Sequence, residues 1–225
     1  MPGRYILSIA VVTLAIALLA LVFDVIGLIS YGLIVAGIWI AIGVSATWFI
    51  ALVLTKLEIV KKHFALRKFL KLPMLLLIAG GTGVLVANLS APPALPPGDL
   101  SANEQIRYMY ETDQRDRLAL RFLQLNQRDQ ARAQQILELH QQKMIRTPAD
   151  LYQSAMILQH GTTPDHYELA YLFAKEADEA GFEGAEGLWK AAYDRWMLSI
   201  GESQMYGTQS KATLTIFGIT VEQQE

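Results

Sequence analysis

The chain has 225 residues, of which 52% are hydrophobic, and its formal net charge is −2. It contains no cysteine, which excludes a disulfide framework and a thiolate metal site. The charge is unevenly divided: residues 1–90 carry seven Lys and Arg against two Asp and Glu, whereas residues 91–225 carry twelve against nineteen. The acidic C-terminal part argues against a nucleic-acid partner, which would require a basic surface.

Apolar residues are concentrated in the first ninety positions. Residues 5–54 form an almost unbroken apolar run whose one charge is Asp24, and a run of this length predicts two passes through a bilayer. At the junction of these passes, Asp24 is expected to reach the lipid headgroups. No small-x-small cleavage site follows Phe23, so we expect this segment to be retained. The predicted transmembrane helices cover residues 5–23, 26–54 and 73–89.

The loop 55–71 sets the predicted orientation, because it holds six Lys and Arg against Glu58 alone. Short loops rich in Lys and Arg stay in the cytoplasm, which places the N-terminus inside and everything after the third helix outside. The loop fits either a basic amphipathic helix on anionic lipid or extensions of the two flanking helices. Glycines in the second and third helices favour close packing and also association between copies: Gly32, Gly37, Gly43, Gly80 and Gly83.

After the third helix, the proline-rich residues 90–101 predict a semi-rigid linker that holds the next domain off the membrane. Residues 102–225 predict a helical bundle or hairpin stack. The fold class is therefore mainly α, with three transmembrane helices followed by this small extracytoplasmic domain. Residues 211–221 alternate and are β-branched, which predicts a terminal strand or hairpin. The helices are expected at about 102–125, 129–144, 148–160, 164–180 and 185–200, with Thr147-Pro148 and Thr163-Pro164 opening two of them and Gly161, Gly181 and Gly201 closing three.

Two polar clusters interrupt the apolar pattern of this domain. Asp113 and Arg117 fall on the inner face of the first predicted helix, four residues apart, so that they can meet. Gln159 and His160 lie at a helix C-terminus, where the helix dipole favours a protonated imidazole.

A third cluster lies in and after the last predicted helix. Asp194 and Arg195 are adjacent, and Arg195 falls between Ala191 and Leu198 on the inner face. A polar loop follows Gly201 and contains Gln204, Met205, Tyr206, Gly207, Thr208 and Gln209. We predict that the three clusters converge in space.

The three clusters together resemble an uncharacterised bacterial domain family with the pattern Asp-Gln-x-x-Arg, then Gln-His, then Asp-Arg followed by Gly and Gln-x-Tyr-Gly-Thr-Gln. The resemblance covers about residues 105–210, roughly half of the chain. It implies a bacterial protein, and with the predicted topology a multi-pass protein of the plasma (inner) membrane. It implies no reaction, because the family has no established activity. The matching residues are Asp113, Gln114, Arg117, Gln159, His160, Asp194, Arg195, Gly201, Gln204, Tyr206, Gly207, Thr208 and Gln209.

Two functions remain open. The first is a membrane-anchored module that binds an envelope component or a partner subunit. The second is a metal-independent hydrolase or transferase acting on an envelope substrate. Its acid–base candidates are Asp113, His160 and Asp194, and its ligand-binding candidates are Gln114, Arg117, Gln159, Arg195, Gln204, Tyr206, Thr208 and Gln209.

A purely structural interpretation competes with a site, because buried charges are normally paired. In that interpretation the same residues form a network that holds the polar loop across the helices. One inward histidine and two carboxylates do not predict a metal site, and no cofactor is expected. The aromatic residues at 171, 189, 193 and 196 are expected in the core.

Overall fold

The computed structural model describes residues 2–57, 69–215 and 218–224. Two compact units divide the chain: the first unit contains Met1–Ala91 and Arg115–Leu123, and the second unit contains Pro92–Gln114 and Gln124–Glu225. The described residues form α1 (Pro2–Val22), α2 (Val25–Lys56), α3 (Lys71–Leu89), α4 (Ala102–Leu118), α5 (Leu125–Gln141), α6 (Pro148–Leu158), α7 (Pro164–Glu179), α8 (Ala185–Ser199), β1 (Ser210–Thr215) and β2 (Gly218–Gln223).

The first unit is built on α2 and α3, which pack antiparallel. A Cβ added to Gly83 would lie 2.0 Å from Oγ of Ser30, and one added to Gly80 would lie 2.5 Å from the carbonyl oxygen of Ser30. Further along, a Cβ on Gly37 would lie 3.1 Å from the carbonyl oxygen of Pro73. Residues further along α2 therefore contact residues earlier in α3, as in an antiparallel pair. The helices approach closely because the glycines have no side chain.

These contacts confirm the predicted packing role for three of the five glycines. Gly32 and Gly43 have no atom of the described structure within 4 Å of an added Cβ, so they take no part in this helix pair. Association between copies of the chain stays a prediction.

Two described stretches are long and apolar enough to cross a membrane, Gly27–Lys56 and Lys71–Leu89. The sequence predicted three. In α1 (Pro2–Val22) the residues searched give only a shorter apolar helix, Ile9–Val22, so the third transmembrane helix stays a prediction. Residues 58–68, the centre of the predicted cytoplasmic loop, lie outside the described residues.

Residues 115–123 belong to the first unit and fasten to helix ends there. The side chain of Arg121 donates through Nη2 to Oδ1 of Asp24 at 2.7 Å and through Nε to the carbonyl oxygen of Ala87 at 2.8 Å. Arg115 Nε donates to Oδ2 of Asp24, also at 2.7 Å. Asp24 is paired with one buried and one exposed guanidinium, 4% and 53% exposed respectively, and its contact with lipid headgroups stays a prediction.

The turn in this segment explains why α4 ends at Leu118 and not near residue 125 as predicted. Leu120 has a φ of 49°, and the amide of Arg121 donates to the carbonyl oxygen of Asp116 at 2.8 Å. This bond closes a Schellman C-cap, whose left-handed residue is usually glycine. Because a leucine occupies that position, the sequence carries no stop signal.

Helix boundaries in the second unit follow the predicted capping residues. Thr147 Oγ1 accepts a hydrogen bond from the amide of Asp150 at 3.1 Å, and Oδ2 of Asp150 accepts one from the amide of Thr147 at 3.0 Å, so a capping box opens α6. Thr163 Oγ1 accepts a bond from a first-turn amide at 3.3 Å and opens α7. Gly181 and Gly201 follow α7 and α8 with φ of 79° and 82°, the left-handed conformation that ends a helix.

Consecutive helices α5 to α8 pack against one another, which confirms the predicted mainly helical stack. The core consists of buried apolar side chains that include Ile106, Met109, Ile136, Leu139, Ile157, Leu158, Phe173 and Leu188. The terminal β candidate is an antiparallel hairpin, with Ser210 opposite Gln223 and Thr215 opposite Gly218. Residues 216–217, between the strands, lie outside the described residues.

The start of the proline-rich linker packs on the second unit. Arg128 Nη2 donates to the carbonyl oxygen of Pro92 at 2.8 Å, and the hydroxyl of Tyr108 donates to that of Pro93 at 3.0 Å. These residues are therefore part of the unit that follows them and do not form a free spacer.

Candidate functional site

An aspartate–histidine pair lies at the C-terminal end of α6. Nδ1 of His160 is 3.1 Å from Oδ2 of Asp113, a buried residue of α4, and Gln114 Nε2 donates to the same oxygen at 2.8 Å. Because a carboxylate oxygen can only accept a hydrogen bond, this contact favours a proton on Nδ1. In the neutral ring, Nε2 is then the nitrogen that can accept a proton. The His160 side chain is 19% exposed, so part of the ring reaches solvent.

A buried arginine on α5 supports the same carboxylate. Nη1 of Arg132 lies 3.6 Å from Oδ1 of Asp113 and donates to Oδ1 of Asp129 at 3.0 Å. One guanidinium thus lies between two carboxylates, which compensates the buried charges. Sequence reasoning missed Arg132 and Asp129. Their spacing from Ala133 and Ile136 places all four on the inner face of α5, and that periodicity was the available signal.

The second predicted acid, Asp194 on α8, is enclosed by the polar loop. Its Oδ1 accepts hydrogen bonds from the amides of Met205 and Tyr206 at 2.8 and 2.9 Å, and its Oδ2 from the amide and hydroxyl of Thr208 at 2.8 and 2.7 Å. Burial by itself raises the pKa of Asp194, but these four bonds stabilise the anion and lower the pKa below its ordinary value. The contacts favour a structural role for this carboxylate.

Arg195 connects the polar loop to the end of α6. Its Nη2 and Nε donate to Oε1 of Gln209 at 3.0 and 3.2 Å, and its Nη1 donates to the carbonyl oxygen of Gln159. Within the loop, Gln204 Nε2 donates to the carbonyl oxygen of Gln209 at 3.0 Å, and the amide of Gln209 donates back to Oε1 of Gln204 at 2.9 Å. The loop is therefore held beside the residue that precedes His160.

These contacts confirm the predicted convergence of the three clusters. Asp113 of the first cluster contacts His160 of the second, and Arg195 of the third contacts Gln159 of the second. Arg117, also of the first cluster, is half-buried and belongs to the first unit.

Tyr206, the aromatic residue of the loop, extends a cluster of rings on α7 and α8. Its ring centroid lies 5.1 Å from that of Trp189 and 5.7 Å from that of Tyr193, both edge to face. Tyr171 stacks on Trp196 at 6.0 Å. All four of these aromatic residues were predicted in the core. They are half-buried, Tyr171 and Trp189 pack against the core, and Tyr206 itself is exposed.

The contacts give the predicted site residues two different roles. The Asp113–His160 pair has the geometry of an oriented acid–base imidazole, whereas Asp194 and Arg195 hold the polar loop. In the described part of the chain, no group of three or more His, Asp or Glu is placed to hold a metal ion. Comparison of the chain with known protein families, with curated proteins and with solved structures finds no match.

Proposed function

We propose that this protein is a membrane-anchored binding or interaction module of a bacterial plasma membrane, with its second unit outside the cytoplasm. The observation that carries the proposal is a set of hydrogen bonds. The side chains of Asp194 and Arg195 bond to residues of the loop 204–209 and hold it in place. A loop ordered in this way presents Met205 and Tyr206 to solvent in a fixed conformation, and preordering lowers the entropic cost of recognition.

The ligand of this module is an envelope component or a partner subunit. The same proposal includes membership of the uncharacterised bacterial domain family that the motifs resemble. This membership implies no reaction, because the family has no established activity. The loop exposes a methionine and a tyrosine, and both residue types are enriched at protein interfaces.

The proposed orientation rests on α2, α3 and the basic residues between them. Six Lys and Arg in 55–71 favour the cytoplasm, and a second helix that runs antiparallel to the first returns the chain to the outside. The loop and the second unit keep this orientation whether or not α1 crosses the bilayer.

Topology can be tested with single-cysteine variants, because the chain has no cysteine. We would place one at the exposed Glu202 of the second unit (Glu202→Cys) and one at the end of α2 (Lys56→Cys). A small membrane-impermeant maleimide should label Glu202→Cys in intact cells and Lys56→Cys only after permeabilisation. The reverse pattern would overturn the orientation and with it the proposed function.

A second candidate function is favoured by the Asp113–His160 pair. Its partly exposed imidazole, oriented through Nδ1, suits acid–base work through Nε2 in a metal-independent hydrolase or transferase. In this alternative Arg195 and Gln209 position the loop beside the reacting group and do not react themselves.

Modification of the full-length chain by diethyl pyrocarbonate separates these two candidates. The acid–base function expects His160 to react in the folded protein and its rate to change in Asp113→Asn, because the amide no longer offers a carboxylate oxygen to accept from Nδ1. The exposed His140 is the internal control, and its rate should not change. If His160 reacts only after unfolding, the acid–base function is excluded and the interaction module stands alone.

A further inference from the structure

Three large apolar side chains of the first unit are exposed on the segment that follows Arg115. Leu118, Phe122 and Leu123 are 49%, 56% and 49% exposed. A short segment with this much apolar surface is usually covered by a partner, by another copy or by lipid.

The position of the segment within the unit selects among these. The amide of Leu123 donates to Oδ1 of Asn88 at 2.9 Å, and Asn88 precedes Leu89, the last residue of α3. A Cβ added to Gly27, in the first turn of α2, would lie 1.8 Å from the carbonyl oxygen of Ala119. The segment therefore lies against the N-terminal end of α2 and the C-terminal end of α3, where the two apolar helices stop.

The backbone amides of the segment are hydrogen-bonded within the protein and do not depend on water. All five amides from 119 to 123 donate hydrogen bonds within the protein, although only Leu118 and the residues before it are helical. Water would satisfy such amides on an ordinary surface loop, whereas lipid cannot, so irregular backbone near lipid must be bonded internally. The one buried guanidinium here, that of Arg121, is paired with Asp24.

We propose that Leu118, Phe122 and Leu123 insert into the boundary between headgroups and acyl chains of the outer leaflet. The lipid surface is favoured over another occupant because the patch continues the exposed apolar surface of the same helix ends, where Phe23 and Leu89 are also exposed. The inference rests on the proposed function, since a bilayer must surround α2 and α3. It adds a second, shallow anchor to the spanning helices.

Fluorescence quenching in lipid vesicles tests this insertion on the full chain. Single cysteines in Phe122→Cys, Trp39→Cys and Glu202→Cys are labelled with an environment-sensitive dye, and nitroxides are placed on lipids at a shallow or a deep acyl position. The Phe122→Cys dye should be blue-shifted relative to the Glu202→Cys dye and should lose most emission to the shallow nitroxide. Leu123→Cys repeats the measurement in case Phe122→Cys does not fold.

A dye at the exposed Trp39, in the middle of α2, distinguishes failure of the proposed function from failure of the insertion alone. If the Trp39→Cys dye is not quenched by the deep nitroxide, α2 does not span, and both the proposed function and this inference fail. If it is quenched while the dyes on the segment are quenched by aqueous iodide instead, the insertion alone is overturned. Dyes on the segment that both quenchers spare would show a protein cover, such as a second copy, and would also overturn it.

Discussion

Two buried aspartates of the second unit show how neighbours, not burial, decide what a carboxylate can do. Asp194 accepts four hydrogen bonds from a single loop. Asp113 contacts an amide side chain, a guanidinium and the imidazole of His160. Only the second arrangement leaves a titratable ring between the carboxylate and solvent, so a proton relay could run through Asp113 and not through Asp194.

We expect Asp194→Asn to destabilise the second unit by about 2–3 kcal/mol. The amide retains one acceptor oxygen and turns an NH2 group toward donors that then have no acceptor, and bonds to a charged acceptor are worth about 1.5–3 kcal/mol. Urea unfolding of the full chain in detergent, followed by near-UV circular dichroism, measures the change. Glu202→Gln, at an exposed neighbouring position, should stay within about 0.5 kcal/mol of the parent.

The lowered pKa of Asp194 adds a pH dependence. Its folded pKa lies below the unfolded value of about 3.9, so the unfolded state binds the proton first as the pH falls. The stability from this carboxylate is therefore complete above the unfolded pKa and is lost as the pH falls through the folded pKa. We expect the gap in unfolding free energy between the parent and Asp194→Asn to be constant near neutral pH and to narrow below about pH 4. A gap that stays constant down to about pH 2 would contradict this assignment.

Sequence reasoning located these residues but not their partners. Asp113, His160 and Arg195 were identifiable because each interrupts an apolar face or a helix end. Arg132 was missed because an Asp–Arg pair three residues apart also fits a solvated helix face. Only the packing of α5 against its neighbours decides between those two settings.

Helix ends in the second unit use the left-handed conformation in two ways. Gly181 and Gly201 adopt it without a steric cost, and these stops were predictable. Lys143, after α5, adopts it with a φ of 57°, and its amide donates to the carbonyl oxygen of His140 at 2.9 Å. A Cβ in this conformation costs about 1–2 kcal/mol.

Lys143→Gly should therefore stabilise the second unit. Relief of the steric cost exceeds the loss of about 0.4–1 kcal/mol from a more flexible unfolded chain, which leaves a net gain of about 0.5–1 kcal/mol. Since Lys143 is exposed, few contacts are lost. The matched variant Lys143→Ala keeps the Cβ and should show no gain in the urea midpoint. Equal midpoints for the two variants would argue against backbone strain at this position.

In the first unit, Gly83 and Gly81 form a matched pair on α3. A Cβ on Gly83 would meet Oγ of Ser30 at 2.0 Å, whereas one on Gly81 meets nothing in the described structure within 4 Å. We expect Gly83→Ala to cost about 1–3 kcal/mol through overpacking and Gly81→Ala to be neutral or slightly stabilising. The readout is the temperature at which half of the detergent-solubilised chain remains folded. Similar losses for both variants would mean that α2 and α3 do not pack through Gly83.

The elements divide into those with local signals and those without. Thr147-Pro148 and Thr163-Pro164 carry their capping chemistry in adjacent residues, so both helix starts could be read directly. The end of α4 could not, because Leu120 occupies a position where glycine is expected. The bonds that hold the segment after it in place are made to distant parts of the chain, such as Asn88.

On the scale of the whole molecule, the first unit is discontinuous in sequence. Asp24 joins its parts, since Arg115 and Arg121 lie 91 and 97 residues further along the chain. No local pattern could predict these partners, and a lone charge between two apolar helices suggested headgroup contact instead.

We expect Asp24→Asn to destabilise the first unit by about 3–5 kcal/mol, because it removes the close ion-pair partner of the buried Arg121. Arg115→Gln should cost less than about 1 kcal/mol, since Arg115 is largely exposed. Limited proteolysis of the full chain in detergent measures both, and cleavage after Arg115, Arg117 or Arg121 should accelerate in Asp24→Asn. Equal cleavage rates in the two variants would show that the ion pairs do not fasten this segment.

The same ion pairs impose an order of events on biosynthesis. A chain is made from its N-terminus at about 5–20 residues per second, so Asp24 is synthesised about 5–20 s before Arg121. During that interval the carboxylate of Asp24 lacks both of its guanidinium partners. In the proposed topology the helices can enter the membrane early, but the first unit is complete only after residues 115–123 have been translocated. A nascent chain that stalls before Arg115 therefore holds a first unit without its last segment and without both partners of Asp24.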